Sequence, residues 1–400
     1  MNNAEIIELT HRHQVDIYGC LPIAFVRGEG SYLFDADGNR YLDFFSGLAV
    51  ASLGHAHPRV ARAISEQAQK LTHVSNVFHT EPSARLVERL ANKFGAGSRV
   101  FLGNSGAEAN EAAIKLARRW GHKDGGGRFE IIATQGSFHG RTLATLTATG
   151  QEKYHQGFQP LVPGFRLVPY DDAAAFERAV GANTVGVMLE PIQGEGGVVV
   201  PRPDYLKRVR EICDRAQLLL ILDEIQVGVG RTGTFFAFEQ AGIQPDIATL
   251  AKALGGGLPI GAMIARGEVA SSLTPGSHGT TFGGNPVACA AALAVLDAFD
   301  AEGVLDNARK MGGYLIDRLR DISRGLDRVA EVRGVGMIIG VALKHDARPV
   351  VDACIKERLL VNGTAGNVLR LLPPLNLKRE DADAGLKIIA RALKEAPPPA

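Results

Sequence analysis

Short apolar runs alternate with longer amphipathic segments through the middle of the chain. The apolar runs lie at 100–102, 131–133, 185–189, 218–222 and 247–250. The amphipathic segments, which predict helices, lie at 58–71, 83–94 and 107–119. Strands that show no polar alternation are buried on both faces, so the pattern predicts an α/β fold with a mostly parallel sheet between helices. Such sheets bind ligands at the carboxyl ends of their strands.

The two ends of the chain follow other patterns. Near the N-terminus, alternating segments at 31–34 and 41–44 flank a polar turn, which predicts a small antiparallel region. Near the C-terminus, the pattern predicts strands at 335–343 and 367–372 and helices at 349–357 and 381–393. We therefore expect an N-terminal segment with part of a small domain (1–54), a large domain (55–285), a C-terminal small α+β domain (286–395) and a disordered tail (396–400).

Composition excludes several partners and locations. Lys and Arg number 44 and Asp and Glu 43, so a net charge of +1 gives no broad field to attract nucleic acid or an anionic membrane. The four cysteines are widely spaced, which favours a reducing cytoplasm over a disulfide scaffold or a zinc knuckle. No signal peptide is evident, and the longest apolar stretch (287–296) is half a membrane span, so we expect a soluble cytoplasmic protein. Glycine is unusually frequent, at 47 of 400 residues.

Polar or glycine-rich sequence follows each apolar run. After 100–102, Ser105-Gly106-Ala107 opens a helix, which suits a phosphate, although an ordinary helix cap explains the same residues. After 131–133, Phe138 is suited to stack on a planar ring and Arg141 to bind a carboxylate. A core phenylalanine and a solvated arginine explain this pair equally well.

The next strand ends add two acids and an amine. Glu190 and Glu195 follow 185–189, either as acid/base groups, as ion-pair partners or as surface charge. Asp223 ends a predicted central strand, where a carboxylate needs a partner, and Lys252 precedes three glycines. Taken alone, Lys252 is more simply a solvated loop residue. Together, a phosphate site, a stacking ring, an acid, an amine and a carboxylate-binding arginine make up the requirements of pyridoxal phosphate chemistry.

Other functions fit less well. The segment 228–233 matches the dinucleotide pattern G-x-G-x-x-G, but its strand ends six residues too early and no clear helix follows. The histidine pairs His11/His13 and His55/His57 lack a third ligand at a recognisable spacing, so we expect no metal. A catalytically silent binding protein of the same fold is disfavoured, because the candidate lysine, aspartate and arginine are all present.

A series of motifs between about residues 22 and 374 resembles the class III (ornithine-type) aminotransferases. The motifs are GHAHP at 54–58, NSGAEAN at 104–110, GSFHGR at 136–141, EPIQGE at 190–195, DEIQ at 223–226, Lys252, and TTFGGNP at 280–286. The resemblance implies fold type I of the pyridoxal phosphate enzymes. In that fold, a large cofactor-binding domain is joined by a small domain built from both chain ends.

The resemblance also implies the cofactor's contacts. Lys252 would bind the cofactor covalently and move the proton, and Asp223 would keep the pyridine nitrogen protonated. Phe138 would stack on the ring, and Gln226 would contact the phenolic oxygen. The full cofactor-binding set is Ser105, Gly106, Ala107, Phe138, Asp223, Glu224, Ile225, Gln226, Lys252 and Thr281. Thr281 would reach the phosphate of the neighbouring subunit, which implies a homodimer with active sites at the subunit interface.

The same resemblance implies two substrates for one site. Arg141 would bind the α-carboxylate of an N-acylated ornithine, and Arg370 would bind glutamate or 2-oxoglutarate. Glu195 would mask Arg370 while the first substrate is bound. The remaining substrate-binding residues are Thr280 and Tyr18. Leu48 stands where ornithine-using members have a tyrosine, which favours acetylornithine and a place in arginine biosynthesis. Succinylornithine and succinyl-diaminopimelate remain alternatives.

Overall fold

The structure is a computed structural model that describes residues 1–123 and 126–397. Helix α1 (Asn3–His13) is followed by an antiparallel ladder of β1 (Phe25–Glu29), β2 (Tyr32–Asp35) and β3 (Arg40–Asp43). The next turn, α2 (Ser46–Ala49), is left-handed, because Gly47 and Leu48 have φ values of 59° and 66°. Since this conformation costs a non-glycine residue about 1–2 kcal/mol, its surroundings must hold it.

A seven-stranded sheet forms the centre of the molecule. Its region contains α3 (Pro58–Lys70), α4 (Glu81–Phe94), β4 (Arg99–Gly103), α5 (Gly106–Gly121), β5 (Glu130–Thr134), α6 (Leu143–Ala148), β6 (Phe165–Val168), α7 (Ala173–Ala179), β7 (Thr184–Leu189), α8 (Tyr205–Ala216), β8 (Leu219–Asp223), β9 (Ile247–Leu250), β10 (Gly261–Ala265) and α9 (Gly267–Ala270). The strand order is β4-β10-β9-β8-β7-β5-β6. Strand β10 runs opposite to the other six strands, which are parallel to one another. Every residue of β7 and β8 is buried, as continuous apolarity requires.

A second antiparallel sheet lies in the C-terminal part. Its region contains α10 (Pro286–Ala301), α11 (Val304–Ser323), β11 (Val329–Val335), β12 (Ile338–Leu343), α12 (Arg348–Lys356), β13 (Leu359–Leu360), β14 (Asn362–Thr364), β15 (Val368–Leu371) and α13 (Arg379–Glu395). The sheet order is β11-β12-β15-β14. Strand β13 instead pairs in parallel with β3, so the two chain ends share one small sheet.

The glycine motif at 228–233 lies between the seven-stranded sheet and the C-terminal antiparallel sheet. Arg231 is fully buried there, and its Nη1 donates to the carbonyl oxygens of Met337 and Pro373. Burial lowers the pKa of this guanidinium to about 9. A Cβ on Gly230 would come within 2.3 Å of Phe299, so the loop packs tightly against α10. The motif therefore joins the sheets and opens no dinucleotide-binding helix.

The predicted central elements occur within two residues of their predicted positions. The strand predicted at 335–343 corresponds to β12 but begins three residues too early, because Gly336 (φ 57°) turns the chain between β11 and β12. Strands β6 and β10 were not predicted. In the tail, Ala396 is buried and its carbonyl accepts from Arg328 Nη2 at 2.8 Å, while 398–400 lie outside the described residues. The domain boundaries stay predictions. None of the described helices is long and apolar enough to cross a membrane.

Candidate active site

A cavity of about 400 Å³ lies at the carboxyl ends of the central strands. Parallel strands bring these ends to one edge of the sheet, which is why residues far apart in sequence meet here. The cavity wall contains ten of the predicted site residues, namely Ser105, Gly106, Ala107, Phe138, Arg141, Glu195, Asp223, Ile225, Gln226 and Lys252.

The N-terminus of α5 forms one wall. Ser105 caps the helix, with its Oγ accepting from the backbone N–H of Glu108 at 3.2 Å. The N–H groups of Gly106 and Ala107 begin the helix, where no preceding turn supplies an acceptor. A Cβ on Gly106 would come within 2.8 Å of Ile225 Cδ1, so glycine allows the close approach. The result is a set of donors at the positive end of a helix dipole, suited to a phosphate.

Asp223 is held firmly at the end of β8. Its Oδ2 accepts from Asn110 Nδ2 at 2.8 Å and lies 2.7 Å from His139 Nδ1, and its Oδ1 accepts from the Ile225 N–H at 3.0 Å. Thr249 Oγ1 donates to Asn110 Oδ1 at 2.7 Å and fixes that amide. Sequence reasoning missed Asn110 and His139 as supports, although both stand inside motifs that it quoted. The carboxylate is thus nearly immobile and only 3% exposed.

Lys252 follows β9 at the start of a short 3₁₀ turn, Lys252–Gly255. Its φ of 45° is left-handed, a strain of about 1–3 kcal/mol for such a residue. Burial lowers the pKa of its amine, and the nearby carboxylate of Glu195 opposes that shift. The lysine is therefore placed in the cavity at an energetic cost and releases its proton more readily than a solvated lysine does.

Glu190 fixes the backbone beneath the predicted stacking residue. Its Oε1 accepts from the N–H of Phe138 at 2.9 Å, and its Oε2 accepts from the N–H of Gly194 at 3.2 Å. Burial raises the pKa of this carboxyl to about 7, while the charge of His139 opposes the shift. Glu190 therefore connects two of the strand-end loops that line the cavity.

Arg141 lies at the mouth of the cavity without a carboxylate partner among the residues described. Its Cζ is 4.0 Å from the ring centroid of Tyr154 and 5.4 Å from that of Phe138. The two rings meet edge to face at 5.9 Å. Tyr154 was missed, because nothing in its sequence spacing marks it. An exposed, unpaired guanidinium is available to bind a carboxylate from solution.

Arg370 lies behind the opposite wall and is fully buried. Its Nη1 donates to Glu195 Oε1 at 2.6 Å and to Gln226 Oε1 at 3.1 Å, and its Nε donates to Asn362 Oδ1 at 3.2 Å. Its Nη2 is buried and has no partner in the described structure. Burial tends to raise the pKa of Glu195, but the charge and hydrogen bond of Arg370, together with the charge of Lys252 and the hydrogen bond from Gln226, lower that pKa overall.

Besides Arg370, four predicted residues lie outside the cavity wall. Glu224 points into the core, where it accepts from the N–H groups of Ala237 at 2.7 Å and Phe238 at 2.9 Å. Burial raises the pKa of Glu224 to about 8.

Thr280 Oγ1 accepts from Asn104 Nδ2 at 3.1 Å. Thr281 lines a separate cavity of about 250 Å³, and Tyr18 is 63% exposed in the N-terminal segment. Their functional roles stay predictions.

Known proteins resemble this chain over nearly its whole length. The family described as Aminotransferase class-III matches residues 16–393. A protein of Methanothermobacter thermautotrophicus named acetylornithine aminotransferase is 48% identical over 99% of this chain and 100% of its own length. A protein of Methanocaldococcus jannaschii with the same name is 45% identical over 99% of each chain.

Solved structures of aminotransferases also resemble this chain over nearly its whole length. Ornithine aminotransferase of Toxoplasma gondii, described with partial occupancy of PLP at its active site, matches with a TM-score of 0.94. It is 35% identical and covers 99% of this chain and 95% of its own. Acetylornithine aminotransferase of Elizabethkingia anophelis matches with a TM-score of 0.88 at 34% identity, over 99% of this chain and 100% of its own. The predicted α/β fold and family are thereby confirmed: this chain belongs to the class-III aminotransferases, which use pyridoxal phosphate to transfer amino groups.

Proposed function

We propose that this enzyme transfers the distal amine of N2-acetyl-L-ornithine to 2-oxoglutarate in arginine biosynthesis, giving N-acetylglutamate semialdehyde and glutamate. The names of the relatives at 45–48% identity support this substrate. One structural observation carries the proposal: the unpaired Arg141 lines the cavity, and Glu195, which also lines it, pairs with Arg370 behind the wall. An enzyme that binds two different carboxylate substrates in turn needs such an arrangement.

The residues of the cavity fit pyridoxal phosphate. The first N–H groups of α5 suit its phosphate, the fixed carboxylate of Asp223 suits a protonated ring nitrogen, and the amine of Lys252 suits its aldehyde. When bound, this cofactor supplies a covalent attachment for the substrate's amine and a ring that accepts an electron pair from the adjacent carbon. Glu224 contributes no atom to this wall, so it supports the cofactor at most through its neighbours.

Lys252 is the group that moves the proton. With its pKa lowered by burial, a larger fraction of the amine is neutral near pH 7. A neutral Nζ accepts the proton from the substrate carbon that bears the amine and returns it later in the cycle. The left-handed backbone at Lys252 and the three glycines after it fix where this nitrogen lies without blocking substrate.

The two arginines separate the half-reactions. Arg141 binds the α-carboxylate of acetylornithine at the mouth, while Glu195 keeps Arg370 neutralised. In the second half-reaction a carboxylate of 2-oxoglutarate replaces Glu195 on Arg370. Because an unpaired buried guanidinium is costly, one carboxylate or the other must always occupy it.

A homodimer with active sites at the subunit interface is part of the proposal. Large apolar side chains near the second cavity are exposed, including Val77 (81%), Phe78 (68%) and Phe282 (63%). A second copy covering this face would bury them and bring Thr281 to the neighbouring site. A cytoplasmic location is also proposed, supported by four cysteines that form no disulfide.

The deciding experiment compares amine donors at fixed 2-oxoglutarate. We expect kcat/KM to be highest for acetylornithine, lower for succinylornithine, and lowest for free ornithine and 4-aminobutyrate. A preference for free ornithine would overturn the substrate assignment, and a preference for succinylornithine would replace acetyl by succinyl. Lys252→Ala is the matched control, because it should remove turnover with every donor.

A further inference from the structure

Tyr154 lies between the stacking residue and the carboxylate-binding arginine. It is half-buried on the 3₁₀ turn Glu152–Tyr154, and its ring meets that of Phe138 edge to face at 5.9 Å. The Cζ of Arg141 is 4.0 Å from the same ring, well within the range of a cation–π contact. Both contacts involve the aromatic ring and neither requires the hydroxyl group.

The turn that carries Tyr154 is anchored on both sides. Gln151 Nε2 donates to the carbonyl of Ser137 at 3.1 Å. His155 Nε2 lies 2.9 Å from the carbonyl oxygen of Leu146 and 2.8 Å from that of Thr149. These bonds tie the turn to α6 and to the loop that carries Phe138. The ring therefore has a fixed position, whereas Arg141 is a long, exposed side chain with many rotamers of its own.

We propose that Tyr154 is a positioning residue that holds Arg141 in the orientation needed to bind the donor's carboxylate. This inference rests on the role given to Arg141 in the proposed function. Without the ring, the guanidinium would have to lose its rotamer freedom when substrate binds, and that loss would weaken binding. With the ring, the guanidinium is already restricted and its N–H groups remain free for the carboxylate.

The first test replaces Tyr154 by leucine, with Tyr154→Phe as the matched control. A cation–π contact at an exposed site corresponds to about a two- to fivefold effect. We expect Tyr154→Leu to raise KM for acetylornithine by that factor with kcat within about twofold. Tyr154→Phe, which keeps the ring, should behave as the wild type. The melting temperature and the visible absorbance of bound cofactor should be unchanged. If the leucine variant folds poorly, Tyr154→Met provides the same measurement.

A double-mutant comparison separates positioning from a general effect. Tyr154→Leu should have no further effect on KM in an Arg141→Met background, because the residue it positions is absent. The positioning role alone is overturned if Tyr154→Leu changes KM equally in the wild-type and Arg141→Met backgrounds. It is also overturned if Arg141→Met raises KM and Tyr154→Leu leaves KM unchanged. An unchanged KM in Arg141→Met itself overturns the role of Arg141 in the proposed function and this inference with it.

Discussion

Removal of the Glu195 carboxylate tests whether Arg370 depends on an exchangeable partner. In the described structure, Glu195 is the one carboxylate bonded to the fully buried Arg370, at 2.6 Å. Glu195→Ala leaves that guanidinium with two neutral acceptors, Gln226 Oε1 and Asn362 Oδ1. The buried positive charge then lacks a counter-charge, so the folded enzyme should become less stable.

The size of the effect follows from the burial of the pair. Removing one partner of a buried ion pair typically costs 3–5 kcal/mol, and Glu195 retains 23% side-chain exposure, so solvent screens part of the loss. We expect the free energy of unfolding to fall by roughly 2–3 kcal/mol at pH 7. Because a carboxylate from solution now meets less competition at Arg370, KM for 2-oxoglutarate should fall about tenfold.

The pH dependence gives a second, independent signature. The folded-state pKa of Glu195 lies below its ordinary value of 4.5, so its stabilisation is present above that value and is lost as pH falls through the folded pKa. The stabilities of the wild type and the variant, measured by chemical denaturation, should therefore differ most near pH 7 and converge as the pH falls below 4.5. Circular dichroism of the holoenzyme measures both curves.

An exposed ion pair provides the matched control. Lys344 Nζ lies 2.6 Å from Asp327 Oδ1, the same separation, but both side chains are in water. Asp327→Asn should change stability little, because solvent screens such pairs. The reasoning fails if Glu195→Ala is as stable as the wild type at pH 7, or if the two denaturation curves differ equally at every pH.

Three further predictions concern cofactor binding and buried groups. Glu224→Gln should make the free energy of unfolding less sensitive to pH. The folded-state pKa of Glu224, about 8, lies above the ordinary value of 4.5, so the wild type loses stability as pH rises from about 5 to 8. Equal pH profiles for the wild type and the variant would contradict this. Gly106→Ala should weaken pyridoxal phosphate binding about tenfold in an absorbance titration, because its Cβ would meet Ile225. Its control, Gly313→Ala, lies on α11 with open space around it and should raise stability by about 0.5–1 kcal/mol. Lys252→Ala should abolish both transamination and the visible band of the bound cofactor while leaving the fold intact.

The elements that the sequence predicts correctly are those with a strong local signal. Continuous apolar runs between amphipathic segments marked β4, β5, β7, β8 and β9, because burial on both faces leaves no polar alternation. Strand β10 was not predicted, and an apolar run does not in any case report the strand direction that makes β10 antiparallel. The apolar signal also did not mark β11, whose sequence carries Glu331 and Arg333 among its apolar residues.

At the candidate site too, the sequence predicted some features correctly and missed others. Asp223 and Glu224 are adjacent in sequence, yet one faces the cavity and the other accepts two N–H groups in the core. Successive side chains leave an extended backbone in opposite directions, and the sequence does not say which direction meets the ligand. Tyr154, His139 and Asn110 were missed because their importance lies in what they touch.

By itself, the sequence determined five strands of the central sheet, the order of the strand-end motifs and the candidate reactive groups, because each is encoded in a contiguous segment. Tertiary structure decided which groups pair. Arg370 meets Glu195 across 175 positions of sequence because the second sheet packs beside the cavity. Tyr154 meets Arg141 because an anchored turn folds back over the mouth. Such contacts depend on how whole elements pack in three dimensions, and no local pattern of residues records that packing.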